Sequence, residues 1–236
     1  MVRHKAIKAT LDVGTSAEWN DDHISDFEDD ILIEESFITP VITTKWDLGQ
    51  TAGGVNPVLA FQDHHSFAYL NTGGVTGQIS SMRYEFNGAA GNITYINDTP
   101  ILTTAVWMEA YHTAGLVAEF GLIDSATAAA FTANQDGAYF RIDGNVLYAV
   151  TGSGAAETTT DVTPALGISE YGHYRIHLQA TKCDFYVDDM ETVATSHTNN
   201  LPDADLTLKY SIQSQNNVDS KMYVDAAGLT RFRYKG

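Results

Sequence analysis

From Ser36 onward the chain is written largely in period two. Met82, Tyr84 and Phe86 alternate with Ser81, Arg83 and Glu85, and Leu116, Ala118, Phe120 and Leu122 alternate through "LVAEFGLI". Ala138, Phe140 and Ile142 lead into Asp143-Gly144-Asn145, and Val146, Tyr148 and Val150 follow, so this stretch reads as a β-hairpin. Leu206, Leu208, Tyr210 and Ile212 repeat the alternation. Side chains two apart lie on one face of a strand, so each run has one apolar face to bury. Only "SATAAAFTA", Ser125 to Ala133, suggests a short helix. Many short strands bounded by Gly, Asn, Asp and Thr, without intervening helices, predict an all-β sandwich or jelly roll.

The stretch "YRIHLQATKCDFYVDDMETVATSHTNNLP", Tyr174 to Pro202, is the most regular. Tyr174, Ile176, Leu178 and Ala180 fall on one face, with Arg175, His177 and Gln179 on the other. Cys183, Phe185 and Val187 continue the apolar face, and Asp184, Tyr186 and Asp188 the polar one. Asp188 to Glu191 reads as a turn, Val193 and Thr195 as a returning strand. Three strands with one apolar face are what a sandwich sheet requires.

Composition narrows the partners. The chain has 236 residues, a length one all-β domain can reach, and 44% of them are hydrophobic. It carries 13 basic and 30 acidic residues, net charge −17, which repels phosphate backbones and anionic lipid and argues against nucleic acid and membrane as partners. One cysteine, Cys183, excludes an internal disulfide, and its place on an apolar face predicts a buried, inert thiol. No apolar run reaches the ~20 residues of a membrane span. "MVRHKAIK" is not followed by an apolar stretch of signal-peptide length, so synthesis and retention in the cytosol are expected.

The beginning of the chain reads differently. Arg3, Lys5 and Lys8 make it basic, and from Glu18 to Glu35 there are acids and no bases. A solvated acidic linker with one helical turn accounts for this. So does an attachment arm, residues 1–35, that orders on a partner through Arg3, Lys5, Lys8, Trp19, Ile24 and Phe27, ahead of a sandwich over 36–236.

The Tyr174–Pro202 text resembles the late strands of concanavalin A-like jelly rolls, the superfamily of lectins, laminin-G modules and laminarinase-like glucanases. Asp189 stands where a turn glycine is usual there. "MYVDAAGLTRFRY" (Met222 to Tyr234) resembles the closing strand, "IEESF" (Ile33 to Phe37) the opening one, and "GAYFRIDGNVLYAVT" the mid-domain hairpin of phage-encoded members. The resemblance covers about Ile33 to Tyr234 and implies the fold, which hosts lectins, hydrolases and structural modules alike. "HKAIKATLDVGTSAEWNDDHISDF" is similar to the beginnings of structural proteins of tailed phages and archaeal viruses. That likeness implies a virion protein, assembled in host cytoplasm with other virion proteins, homo-oligomeric, on the capsid surface or a tail fibre.

Laminarinase-like enzymes carry Glu-x-Asp-x-(x)-Glu on one strand, whose alternation brings the carboxylates together. Glu109 in "VWMEAYHT" stands alone, and Glu119 in "VAEFGLID" has no carboxylate two positions on. Gly152-Ser153-Gly154 lacks the spacing of a nucleophile elbow, and His64-His65 lacks the spacing of a zinc helix. The expectation is therefore that the chain is not an enzyme. Sugar recognition uses aromatic faces and a few directing polar groups, and Trp107, Tyr111, Tyr148, Arg175 and His177 are the candidates, although ordinary sandwich filling accounts for such aromatics too. The resemblance also implies a structural calcium between opening and closing strands, with Glu35 and Asp225 as ligand candidates. The reading that follows is a non-enzymatic virion structural protein able to bind host glycan. The alternatives are a cellular carbohydrate-binding module and, third, a laminarinase-like glycoside hydrolase.

Overall fold

The computed structural model describes residues 27–35, 46–50, 55–62, 65–84, 96–109, 116–124, 135–154, 156–164, 171–217 and 219–234. Its strands are β1 (Phe27–Glu35), β2 (Trp46–Gln50), β3 (Val55–Gln62), β4 (His65–Asn71), β5 (Ile79–Tyr84), β6 (Ile101–Glu109), β7 (Leu116–Ile123) and β8 (Gly137–Asp143). They continue with β9 (Val146–Ser153), β10 (Ala156–Asp161), β11 (Tyr171–Gln179), β12 (Lys182–Val187), β13 (Val193–His197), β14 (Thr207–Ser214) and β15 (Lys221–Tyr234). The helix suggested for Ser125 to Ala133 lies outside the described residues, as do Arg3, Lys5, Lys8, Trp19, Ile24 and Tyr111.

Two sheets form the sandwich. The first runs β13-β12-β11-β6-β15-β4-β3, with β1 added along the far part of β15. The second runs β10-β9-β8-β7-β14-β5-β2. Every described pairing is antiparallel, including β7 between β8 and β14 and β6 between β11 and β15. Residues 27–35, read within an arm that could hold a helical turn, instead form β1. Its register sets Glu28 opposite Arg233 and Asp30 opposite Arg231, so the acidic run lies along the basic end of the chain.

The alternating apolar residues meet between the sheets. Leu102, Val106, Met108, Tyr174, Ile176, Leu178, Cys183 and Phe185 come from the first sheet. Leu116, Ala118, Phe120, Leu122, Phe140, Ile142, Leu208, Tyr210 and Ile212 come from the second. Phe120 stacks on Phe140 at 5.6 Å and meets Tyr174 at 4.8 Å, and Phe140 meets Phe185 at 5.4 Å, so rings from both sheets interlock. Cys183 is fully buried as expected, and burial pushes its thiol well above the usual value. Ala180 is not inward as its spacing suggested: β11 ends at Gln179, and Ala180 is an exposed turn residue before β12. The predicted hairpin is present, with Gly144 at φ 59° in its turn, a left-handed conformation that glycine tolerates at little cost.

A β-bulge between Val224 and Ala226 interrupts the pairing of β15 with β6. The Thr104 hydroxyl donates to the Ala226 carbonyl at 2.7 Å and accepts from the Tyr210 hydroxyl at 2.8 Å, so one threonine serves the bulge and ties the two sheets. The bulge inserts Asp225 and shifts the alternation. Tyr223 and Ala226 therefore both lie on the outer face, while Val224 and Ala227 lie in the core.

Candidate functional site

The outer faces of the two sheets differ. On the second sheet the outward positions of the central strands are shut off from solvent: Lys209, Ser211, Ser81 and Tyr139 are fully buried, and Glu119 is 2% exposed. On the first sheet the outward side chains of β4, β15, β6 and β11 are mostly only partly buried, and His173 and Ala226 are exposed.

An aromatic row crosses that open face. The register sets Tyr171 on β11 opposite Trp107 on β6, Trp107 opposite Tyr223 on β15, and Tyr223 opposite Tyr69 on β4. Adjacent strands are ~4.8 Å apart, so rings on consecutive strands stack without leaving the sheet. Trp107 and Tyr223 do so at 4.4 Å and 22°, Tyr223 and Tyr69 follow at 4.9 Å and 36°, and Phe67 meets the edge of Tyr223 at 5.9 Å. Because the rings face one another, they turn their edges outward and form a continuous apolar ridge. Asn71 donates to the Tyr69 hydroxyl at 2.6 Å and fixes that end of it.

Small residues lie beside the ridge. Ala105 and Thr103 on β6, with Ala226 and Gly228 on β15, take the next outward positions. Together they make a low floor flanked by the ridge. On its β11 and β12 side stand polar groups: His173, Arg175, His177 and Gln179 on β11, and Asp184 and Tyr186 on β12. The Arg175 guanidinium lies over the Tyr186 ring at 4.9 Å and donates to the Met190 carbonyl at 3.3 Å. Burial, then the Arg175 charge, hold His177 below the usual imidazole value. Burial works against ionisation of Asp184, but hydrogen bonds from Lys182 and Ser196 prevail and hold its carboxyl low.

Of the residues singled out for sugar recognition, Trp107, Arg175 and His177 share this face. Tyr148 does not: it is on β9 of the second sheet, packed against Ile123, Tyr139 and Val150. Sequence reading passed over Tyr69, Tyr223 and Phe67, because their approach to Trp107 depends on which strands pair. Glu35 pairs with Ala227, two residues past Asp225, its side chain lies outside the described set, and no group of three carboxylate, histidine or cysteine residues gathers among the described residues.

Carboxylates are better placed on β7. Glu119 accepts from Arg141 Nε at 2.8 Å and from Gln135 Nε2 at 2.8 Å. Burial raises its pKa, and the Arg141 charge opposes that. Arg141 also reaches across to β10, where its two terminal nitrogens donate to Glu157 at 2.9 Å. Five residues past Glu119, Asp124 is exposed at the end of the strand, its N–H donating to the Asp136 carbonyl at 2.8 Å. The pattern is therefore Glu119-x-Gly121-x-x-Asp124, with glycine at the middle position. A Cβ there would lie 2.6 Å from the Tyr139 Cα of β8, and φ is +151°, so this strand has no room for a side chain at 121.

No family model and no curated protein matches the sequence. Solved structures do match. A Bacteroides ovatus glycoside hydrolase family 16 protein of a mixed-linkage glucan locus, in complex with product, superposes with TM-score 0.59 at 10% identity, over 84% of this chain and 100% of that one. The Bacillus licheniformis β-glucanase gives 0.58 at 11% identity, over 84% and 97%. The carbohydrate recognition domain of Emp47p gives 0.56 at 10%, over 83% and 92%. The fold is the concanavalin A-like jelly roll. None of these three is a virion protein, and the virion reading gains nothing from them. They do correct the expectation that the chain is not an enzyme. That expectation rested on a missing carboxylate triad, whereas glycoside hydrolases are prominent among the structures that share this fold.

Proposed function

We propose that this chain is a carbohydrate-binding protein that takes a polysaccharide along the outer face of its first sheet, in the trough between the Trp107–Tyr223–Tyr69 ridge and the polar groups of β11. The aromatic row carries the reading. Three rings in register across three strands, partly open to solvent beside a floor of small residues, offer an apolar rim for the C–H groups of a sugar chain, and His177 and Arg175 supply directing hydrogen bonds. The likeness to a carbohydrate recognition domain and to glucanases supports it. The test is affinity for soluble β-glucans by calorimetry and by retardation in glucan-containing gels. Trp107→Ala should weaken binding about tenfold or more, as loss of a central aromatic anchor does. Tyr148→Ala, on the other sheet, should leave it unchanged. Equal binding by wild type and Trp107→Ala would refute the placement.

Hydrolysis is the second reading, favoured by Glu119 and Asp124 at the ends of a Glu-x-x-x-x-Asp strand pattern. Retaining hydrolysis needs two carboxyls about 5–5.5 Å apart. Release of reducing ends from a β-glucan that disappears in Asp124→Asn would establish it.

A further inference from the structure

We infer that the polysaccharide is anionic, and that Arg175 is the residue that reads its carboxylate or sulfate. This rests on the carbohydrate-binding reading above and adds the ligand class.

In a chain of net charge −17, which repels polyanions at long range, an acidic group of a ligand can be held only by a cation left uncommitted at close quarters. Arg83 holds Asp47 at 3.0 Å, Arg141 holds both Glu119 and Glu157, and Lys182 holds Asp184 at 2.6 Å. Arg175 differs: among the described residues it meets no carboxylate. Its contacts are a backbone carbonyl, Met190, at 3.3 Å and the Tyr186 ring at 4.9 Å, and its buried Nε has no partner. An arginine in so acidic a protein has many carboxylates to choose from. Here the guanidinium carbon lies 4.9 Å from the centre of a tyrosine ring on a strand face, and donor capacity is left unused. A planar fork held that way suits a carboxylate or sulfate oxygen pair.

The neighbourhood agrees. His173, Arg175 and His177 occupy successive outward positions of β11, so two imidazole rings flank the guanidinium as hydrogen-bonding groups on one face of one strand. Of the acids on that face, Asp184 is already satisfied by Lys182, Gln179 and Ser196, and Asp188 lies exposed beside His173, whose carbonyl accepts its N–H at 2.7 Å. Asp188 and Asp189 lie past the end of β12, and Asp189 caps its own turn through the Glu191 and Thr192 amides. The register places Arg175 opposite Thr103 and Trp107 opposite Tyr171, four residues apart along β11, or about 14 Å at ~3.4 Å per residue. The floor of Ala105, Thr103, Ala226 and Gly228 spans that interval. A glycan chain lying on it could set one sugar against the ridge and an acidic group a few sugars on at Arg175.

The experiment measures binding of three probes to the full chain by calorimetry: alginate (carboxylates), a sulfated galactan (sulfate esters) and an uncharged mixed-linkage β-glucan. Each is run at low and high sodium chloride. Wild type should bind at least one anionic probe about tenfold or more tightly than the neutral glucan, because a hydrogen bond to a charged group exceeds one to a neutral group by about that factor. That preference should shrink in high salt. Arg175→Gln should abolish the preference, weakening binding of the anionic probe about tenfold more than it weakens that of the neutral glucan. Arg175→Lys keeps the charge but not the fork, and should recover the preference in part. Whether alginate or the galactan prevails separates carboxylate from sulfate. A wild type that binds the neutral glucan as tightly as both anionic probes would overturn the inference, as would an anionic preference unchanged in Arg175→Gln. Either result leaves the carbohydrate-binding reading standing. Failure to bind any of the three would bring down both.

Discussion

Replacing Gly121 by alanine probes the central strand of the second sheet. β7 lies between β8 and β14, and at 121 its backbone has φ +151°. The new Cβ would sit 2.6 Å from Tyr139 Cα and 2.7 Å from the Ala138 carbonyl, both backbone atoms of β8 that no rotamer change can move. Strain of the backbone conformation costs about 1–3 kcal/mol, and forcing two packed strands apart a further ~1–3 kcal/mol. The expected loss is therefore about 2–6 kcal/mol, or about 5–20 °C in melting temperature for a chain of this length. Gly144→Ala isolates the first component. It has φ +59° and open space around it, so about 1–2 kcal/mol is expected. Gly74→Ala has neither obstacle and should be neutral or slightly stabilising. Thermal and urea unfolding of the three variants should rank them in that order. Gly121→Ala within about 0.5 kcal/mol of Gly144→Ala would refute the argument that β8 excludes a side chain at 121. With it would go the reason that this strand lacks a second carboxylate between Glu119 and Asp124.

Other expectations follow from the same geometry. His197 is 3% exposed and bridges the sheets: Thr151, which donates to the Asn199 carbonyl, accepts from Nδ1 at 3.0 Å, and Nε2 accepts from Thr160 at 2.9 Å, so the neutral ring is the one that fits. Burial lowers its pKa, so as pH falls the unfolded chain takes up the proton first; stability is full above about 6.5 and declines below it. Melting temperatures from pH 7.5 to 5.5 should drop less in His197→Asn than in wild type, and parallel curves would count against it. Phe120→Ala removes a fully buried ring that joins both sheets, and should cost about 3–5 kcal/mol in urea unfolding. Tyr210→Phe deletes only the hydrogen bond to Thr104 and should cost about 1 kcal/mol, with the fold unchanged by circular dichroism.

The sequence by itself determined the strands and the side of each that would be buried, because a period of two is a local property of the chain. Phe120, Phe140, Tyr174, Ile176 and Leu208 could be assigned to a core from alternation alone, and the turn at Gly144 from its residue types. It also pointed to Trp107, Arg175 and His177 as residues with chemistry to offer. Partnership was decided only by the tertiary structure. Trp107 meets Tyr223, 116 positions away, and Tyr223 in turn meets Tyr69, because β6, β15 and β4 are successive strands of one sheet, and no local pattern encodes which strands adjoin. Tyr148 looked equivalent to Trp107 as text and lies on the opposite sheet. Ala180 broke its period because a turn restarts the alternation. Glu119 reads as an ordinary outward strand residue, yet the structure buries it and binds it to Arg141. Alternation says which way a side chain points relative to its own strand, whereas exposure depends on what else the fold lays over that face.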